Sequence, residues 1–267
     1  MASSNTSSPD YDESAASLIF EIFLAIRPQY APFRLTLGTW ENDIVPAEDN
    51  ASQTVPYYHY EAEWTAEWTP PDLDLKILNT IFCHNQCDDV PVVLGPIISD
   101  LLGHNGSPEV LSLHMLPKSW LVTGGQPLLQ ADGLRRAHTV VKVGAIFYDI
   151  TGGQFGVTKL RVPEEEYRRE YVVSEYGDGA SMTLEEAASL LLASDRPNRA
   201  YWNPLFLKLR GNLDTAFKAW MTERDLTKEQ VVLDPVRRRE VVELFRAATT
   251  TTRVEFNVEW YLGGLGG

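Results

Sequence analysis

The chain has 267 residues, 44% hydrophobic and 10% aromatic, with Lys+Arg 23 against Asp+Glu 37 for a formal net charge of −14. That composition supports a sizeable packed core, and the surplus negative charge repels phosphate backbones and anionic lipids while favouring basic protein surfaces, so neither nucleic acid nor a membrane is the expected partner. The apolar runs all fall short of the ~18 residues of a membrane-crossing helix, and two cysteines, Cys83 and Cys87, exclude a disulfide scaffold and point to a reducing, by default cytoplasmic, compartment.

The opening MASSNTSSPDYDESA has neither a basic n-region nor the arginines of a transit peptide, so no export or import signal is expected. Residues 1–13 read as a disordered tail and 14–267 as one α+β domain, with a possible subdivision near 175–182 at EYGDGAS. Ala15, Leu18, Ile19, Ile22, Phe23 and Ile26 repeat at helical spacing until Pro28 stops them. FRLTLGTW reads as a strand, residues 41–56 as a turn-rich loop, and YYHYEAEWTAEW at 57–68 as a strand. That strand sets Tyr58, Tyr60, Trp64 and Trp68 on one face and His59, Glu61, Glu63 and Glu67 on the other. LDLKILNTIFC fits strand or helix, and VPVVLGPIISDLL predicts a helix interrupted at Gly95-Pro96.

VLSLHML, SWLVTG, HTVVKVGAIFYDI and QFGVTKLRV predict strands, with a tight turn at Thr151-Gly152-Gly153 joining the last two as a hairpin. Thr183 and Glu186 form a capping box ahead of AASLLLA. Asn203-Pro204 reads as N-cap and N1 of a helix whose apolar stripe is Phe206, Leu209, Leu213, Phe217, Trp220 and Met221, weakened at Gly211. Asp234-Pro235 starts a helix to about Ala248, and RVEFNVEW closes the chain as a half-buried strand. The expected architecture is an antiparallel twisted sheet with the N-terminal and C-terminal helices packed against it.

Thiol and imidazole are the reactive side chains of FCHNQC and its surroundings. The C-x3-C spacing of Cys83 and Cys87, with His104 and His114 ten residues apart, does not match a zinc module, and no metal or other cofactor is expected. A thiol hydrolase built on Cys83 or Cys87 with His138 as base needs the nucleophile held beside the imidazole. Glu61, Glu63 and Glu67 share a strand face that is solvated or docks a basic partner. TGGQFGVTK matches no phosphate-binding loop. Arg238 and Arg239 lie on a helix facing solvent or the acidic surface of a neighbouring copy, and YLGGLGG is a frayed end, a conjugation tail or a cleavage scar.

From IFYDITGGQFGVTKLRVPEEE through AYWNPLFLKLRGNLDTAFKAWMTERDL to VRRREVVELFRAA, within 146–248, the order of elements resembles the mitochondrial glycoprotein family of acidic matrix proteins. The resemblance implies a twisted antiparallel sheet flanked by terminal helices, a homo-oligomeric ring, binding of partner proteins without catalysis, and a mitochondrial matrix location. Three functional expectations follow. The first is an acidic, non-enzymatic and homo-oligomeric protein docking basic partners through Glu61, Glu63 and Glu67; the second is a thiol-dependent hydrolase or leader-type protease released at a Gly-Gly end; the third is a viral or other assembly-forming structural protein.

Overall fold

Apolar spacing in the first thirty residues builds a longer helix than the sequence predicts. In the computed structural model, which describes residues 9–46, 52–65, 74–83, 86–115, 121–124, 136–176, 179–193 and 199–264, helix α1 runs Pro9–Tyr30. It takes in residues 9–13 of the expected disordered tail. Pro28 does not stop it, because in the last turn the missing N–H costs only the Leu24 carbonyl its helical donor.

The chain is α+β and divides into two compact units: Met1–Tyr30, Asp89–Pro108 and Met182–Gly267 form one, Ala31–Asp88 and Glu109–Ser181 the other. The first unit is helical. Beside α1 it contains α3 (Asp89–Leu102), α5 (Leu184–Leu192), α6 (Arg199–Glu223), α7 (Lys228–Leu233) and α8 (Pro235–Gly264). Its core joins Leu18, Ile22 and Phe23 of α1 to Leu94 and Ile98 of α3, Leu209, Leu213 and Phe217 of α6, and Phe245 of α8.

The expected break in α3 is absent because a side chain repairs it. Pro96 cannot donate to the Val92 carbonyl four residues back, and Arg210 of α6 supplies the missing donor, Nη1 lying 2.7 Å from Val92 O and 3.3 Å from Pro91 O. Gly95 makes room for it, since a Cβ there would sit 2.5 Å from Arg210 Nη1. The other guanidinium nitrogen meets Glu185 of α5.

Thr183 caps α5 as its sequence predicts, both halves of the capping box with Glu186 being made. Asn203 does not cap α6. That helix begins at Arg199, and Asn203 Nδ2 instead donates to the final carbonyls of α5, 2.9 Å from Leu192 O and 3.3 Å from Leu191 O. Asp234 does start α8, accepting from the Val236 N–H at 2.8 Å. The helix then continues past Ala248 through the segment expected to be the closing strand. Phe245, Thr249, Thr252 and Phe256 are buried at helical spacing while Val254 and Val258 are exposed, so the alternation of RVEFNVEW follows the edge of a helical stripe.

The second unit holds the strands. β1 (Phe33–Pro46) pairs antiparallel with β2 (Ser52–Trp64), and β4 (Leu121–Gly124) adds in parallel to β2, giving the order β1-β2-β4. β1 therefore extends into the predicted loop. The FCHNQC segment is preceded by a helix, α2 (Leu75–Cys83). A second sheet contains the path β7-β6-β5-β3-β8, formed by Arg161–Pro163, Ile146–Tyr148, Arg136–Val143, Glu109–Met115 and Val172–Glu175, with each of these neighbours antiparallel.

The predicted hairpin turn is displaced. HTVVKVGAIFYDI is itself a hairpin, folded at Gly144-Ala145 with Gly144 at φ 59°, and Gly152–Phe155 forms a 3-10 turn instead of a tight strand connection. The register sets Leu111, Leu113 and Met115 of β3, His138 and Val140 of β5, and Phe147 of β6 on one face. Phe155 and Val157 from the turn and Tyr167 from α4 (Glu164–Tyr171) cover it.

Candidate functional site

The two-residue turn at Gly144-Ala145 places Asp149, just beyond β6, two positions along from the residue opposite His138 and on the same face. There His138 Nε2 donates to Asp149 Oδ1 at 2.8 Å, with both side chains 0% exposed. The other carboxylate oxygen accepts from Tyr167 OH at 2.5 Å. Phe155 packs edge-on against the imidazole, ring centroids 4.9 Å apart.

Cys87 reaches this dyad through two anchors in its own unit. Cys83 ends α2 with its thiol 3.8 Å from the Ile150 carbonyl, and Gln86 N donates to Cys83 O to close the turn that follows. Thr139, the neighbour of His138 on β5, donates to Asp88 Oδ1 at 2.6 Å. Cys87 thereby lies beside the His138 side chain, near enough to favour its charged form, while its thiol is 3.9 Å from Asp88 Oδ1. It is half-buried, whereas Cys83 is fully enclosed. Of Cys87, His138 and Asp149, Cys87 is the residue that is not fully buried.

Burial opposes a charge on His138, but the Asp149 carboxylate, through its charge and its hydrogen bond, and Cys87 beside it outweigh that penalty and push the imidazole up to about 10. The charged imidazolium is thus the resting form at neutral pH. Asp149 occupies Nε2, so proton exchange with a thiol runs through Nδ1, the nitrogen that the Gln154 side-chain amide approaches at 3.4 Å. A thiolate beside an imidazolium held by an acid can attack an acyl group while the imidazolium protonates the leaving group.

Of the candidate residues, the structure brings Cys87 and His138 together and leaves Cys83 one turn behind as a buried anchor. Glu63 is exposed on β2 and paired with Arg34 of β1. The side chains of Tyr58, Tyr60, Glu61 and Trp64, together with residues 66–73 including Glu67 and Trp68, lie outside the described parts of the chain. Gly263 and Gly264 fall in the last turn of α8, and residues 265–267 lie outside the described residues. Among the described residues no group of three His, Cys, Asp or Glu is placed to hold a metal ion, and no helix is long and apolar enough to cross a membrane.

Sequence reasoning passed over Asp149, Tyr167 and Gln154. The available signal was Gly144: a turn there fixes the β5–β6 register and puts an acid diagonally across from His138. Comparison with protein-family models, with curated proteins and with solved structures finds no match.

Proposed function

We propose that this chain is a thiol-dependent hydrolase or acyl transferase in which Cys87 is the nucleophile, His138 the proton acceptor and donor, and Asp149 the group that orients the imidazole. The observation that carries this reading is the fully buried His138–Asp149 hydrogen bond with the half-buried Cys87 beside the imidazole. In the proposed cycle Cys87 attacks an acyl carbon as the thiolate beside the His138 imidazolium, and the Nδ1 proton passes to the leaving group as it departs. The neutral imidazole then takes a proton from the water that releases the acyl group from sulfur, restoring thiolate and imidazolium. The net charge of −14 supports a positively charged peptide as acyl donor, steered by the sign of the field. On this reading the carboxylate surface, Glu63 included, attracts substrate. Docking without catalysis rests on charge, and homo-oligomeric assembly on the resemblance within 146–248.

Iodoacetamide and p-nitrophenyl acetate test the proposal. Iodoacetamide is expected to label Cys87 at neutral pH and spare the buried Cys83, and ester cleavage is expected to show an acylation burst lost in Cys87→Ala and kept in Cys83→Ser. Cleavage persisting undiminished in Cys87→Ala, or a protein labelled at neither cysteine, sinks it.

A further inference from the structure

A buried aspartate orients a histidine only if its own carboxylate is prevented from turning, and Asp149 is restrained on every side described. Its backbone N–H donates to Leu160 O at 2.9 Å, fixing the main chain. Gly152 presses on the carboxylate, since a Cβ at that position would lie 2.6 Å from Asp149 Cγ and 2.8 Å from Val157 Cβ. Oδ1 faces His138, which leaves Oδ2 to be satisfied in a space closed to water.

We propose that Tyr167 is a positioning residue that locks the rotation of Asp149 through the hydrogen bond to Oδ2, so that Oδ1 stays in line with His138 Nε2. Its functional consequence rests on the thiol-hydrolase reading; the geometry does not. The phenol is fully buried, with its hydroxyl 2.5 Å from Asp149 Oδ2 and 3.3 Å from Met115 Sδ. Its ring is held against Phe147 and Tyr171, at centroid distances of 4.8 and 5.3 Å. The ring therefore cannot follow a rotating carboxylate. The groups around the cluster are Cys87, His138, Asp149, Tyr171 and the Gln154 amide. Burial, and then the Asp149 charge, raise the phenol's ionisation well above its ordinary value, so it remains a hydrogen-bond donor throughout the working pH range. A tyrosine serving only as core filling would make a different prediction: loss of its hydroxyl would lower stability and leave the His138–Asp149 hydrogen bond unchanged.

The experiment is proton NMR of protein labelled with 15N at histidine, reading the downfield Nε2–H resonance of His138 in wild type, in Tyr167→Phe, and with 3-fluorotyrosine placed at 167 by nonsense suppression. The isosteric fluorinated phenol keeps the measurement available if Tyr167→Phe fails to fold. Wild type is expected to show the resonance and Tyr167→Phe to lose it. The fluorinated ring, a stronger donor to Oδ2, is expected to move it upfield. In parallel, kcat on p-nitrophenyl acetate is expected to fall about tenfold or more in Tyr167→Phe with KM unchanged. A resonance identical in all three proteins, or absent from wild type, overturns the inference. A resonance that responds as expected in a protein that never cleaves the ester upholds the role of Tyr167 and sinks the hydrolase reading, so the two failures are distinguishable.

Discussion

Replacing Asp149 with asparagine removes the charge that faces His138 and leaves the size and burial of the site unchanged. In the native protein His138 is pushed up to about 10 although burial works against it. Without the carboxylate the burial remains and the opposing charge is gone, so the imidazole of Asp149→Asn should titrate below its ordinary value of about 6.5. At pH 7.5 the protonated fraction then falls from above about 99% to below about 10%. The sign of the stability effect follows from the same shift. A folded-state value raised from 6.5 to about 10 contributes stability that is fully present below pH 6.5 and is lost as pH rises toward 10. Its upper limit is about 5 kcal/mol at 1.36 kcal/mol per unit, close to the ~3–5 kcal/mol that removing one partner of a buried ion pair costs. Histidine-selective NMR titration reads the first quantity, and urea unfolding at pH 6, 8 and 10 reads the second. Wild type should weaken across that range, while Asp149→Asn should gain slightly between pH 6 and 8 and stay flat above. A wild-type His138 that titrates at or below 6.5, or two proteins with the same pH slope, would show that Asp149 does not hold the imidazole in its charged form.

Two further outcomes are expected in the helical unit. Arg210→Met leaves the Val92 carbonyl without a donor and should cost about 1–3 kcal/mol, read as roughly tenfold or greater loss of hydrogen-exchange protection in α3. In a Pro96→Ala background, where residue 96 regains an N–H for that carbonyl, the same substitution should cost clearly less; strictly additive effects would exclude the repair role assigned to Arg210. Thr183→Ala removes both the acceptor for the Glu186 N–H and the hydroxyl bonded to Glu186 Oε2. It should destabilise by about 1 kcal/mol, seen as faster exchange confined to the first turn of α5.

Helix starts were the most legible features of the chain. The Thr183 box and Asp234-Pro235 act locally, through a side-chain oxygen and a backbone N–H two or three residues away, and both are made as the sequence predicts. The stripe from Phe206 to Trp220 was equally readable, because burial of one helical face needs only the period of the apolar residues. Reading failed where a distant group changed the local rule. Pro96 breaks a helix in isolation, yet Arg210, more than a hundred residues later, bonds the carbonyl it orphans. In RVEFNVEW the short alternation fits two periods, and burial of Thr252 and Phe256 on the helical unit's core face selected the helix.

The candidate site divides along the same line. The sequence alone offered the chemistry: two thiols, a histidine leading into the β-branched run Thr139-Val140-Val141, and a surplus of negative charge. It could not rank Cys83 against Cys87, since both sit in one short segment and differ in what faces them, nor could it join His138 to an acid. Tertiary structure decided both. The turn after α2 and the Asp88–Thr139 bond left Cys83 against the Ile150 carbonyl and Cys87 beside His138, while the Gly144 turn carried Asp149 between His138 and Tyr167. Reactivity of a thiol or an imidazole depends on its nearest charges and its exposure, quantities set here by Cys87, His138, Asp149 and Tyr167, which lie from 11 to 80 positions apart along the chain and meet only once it has folded.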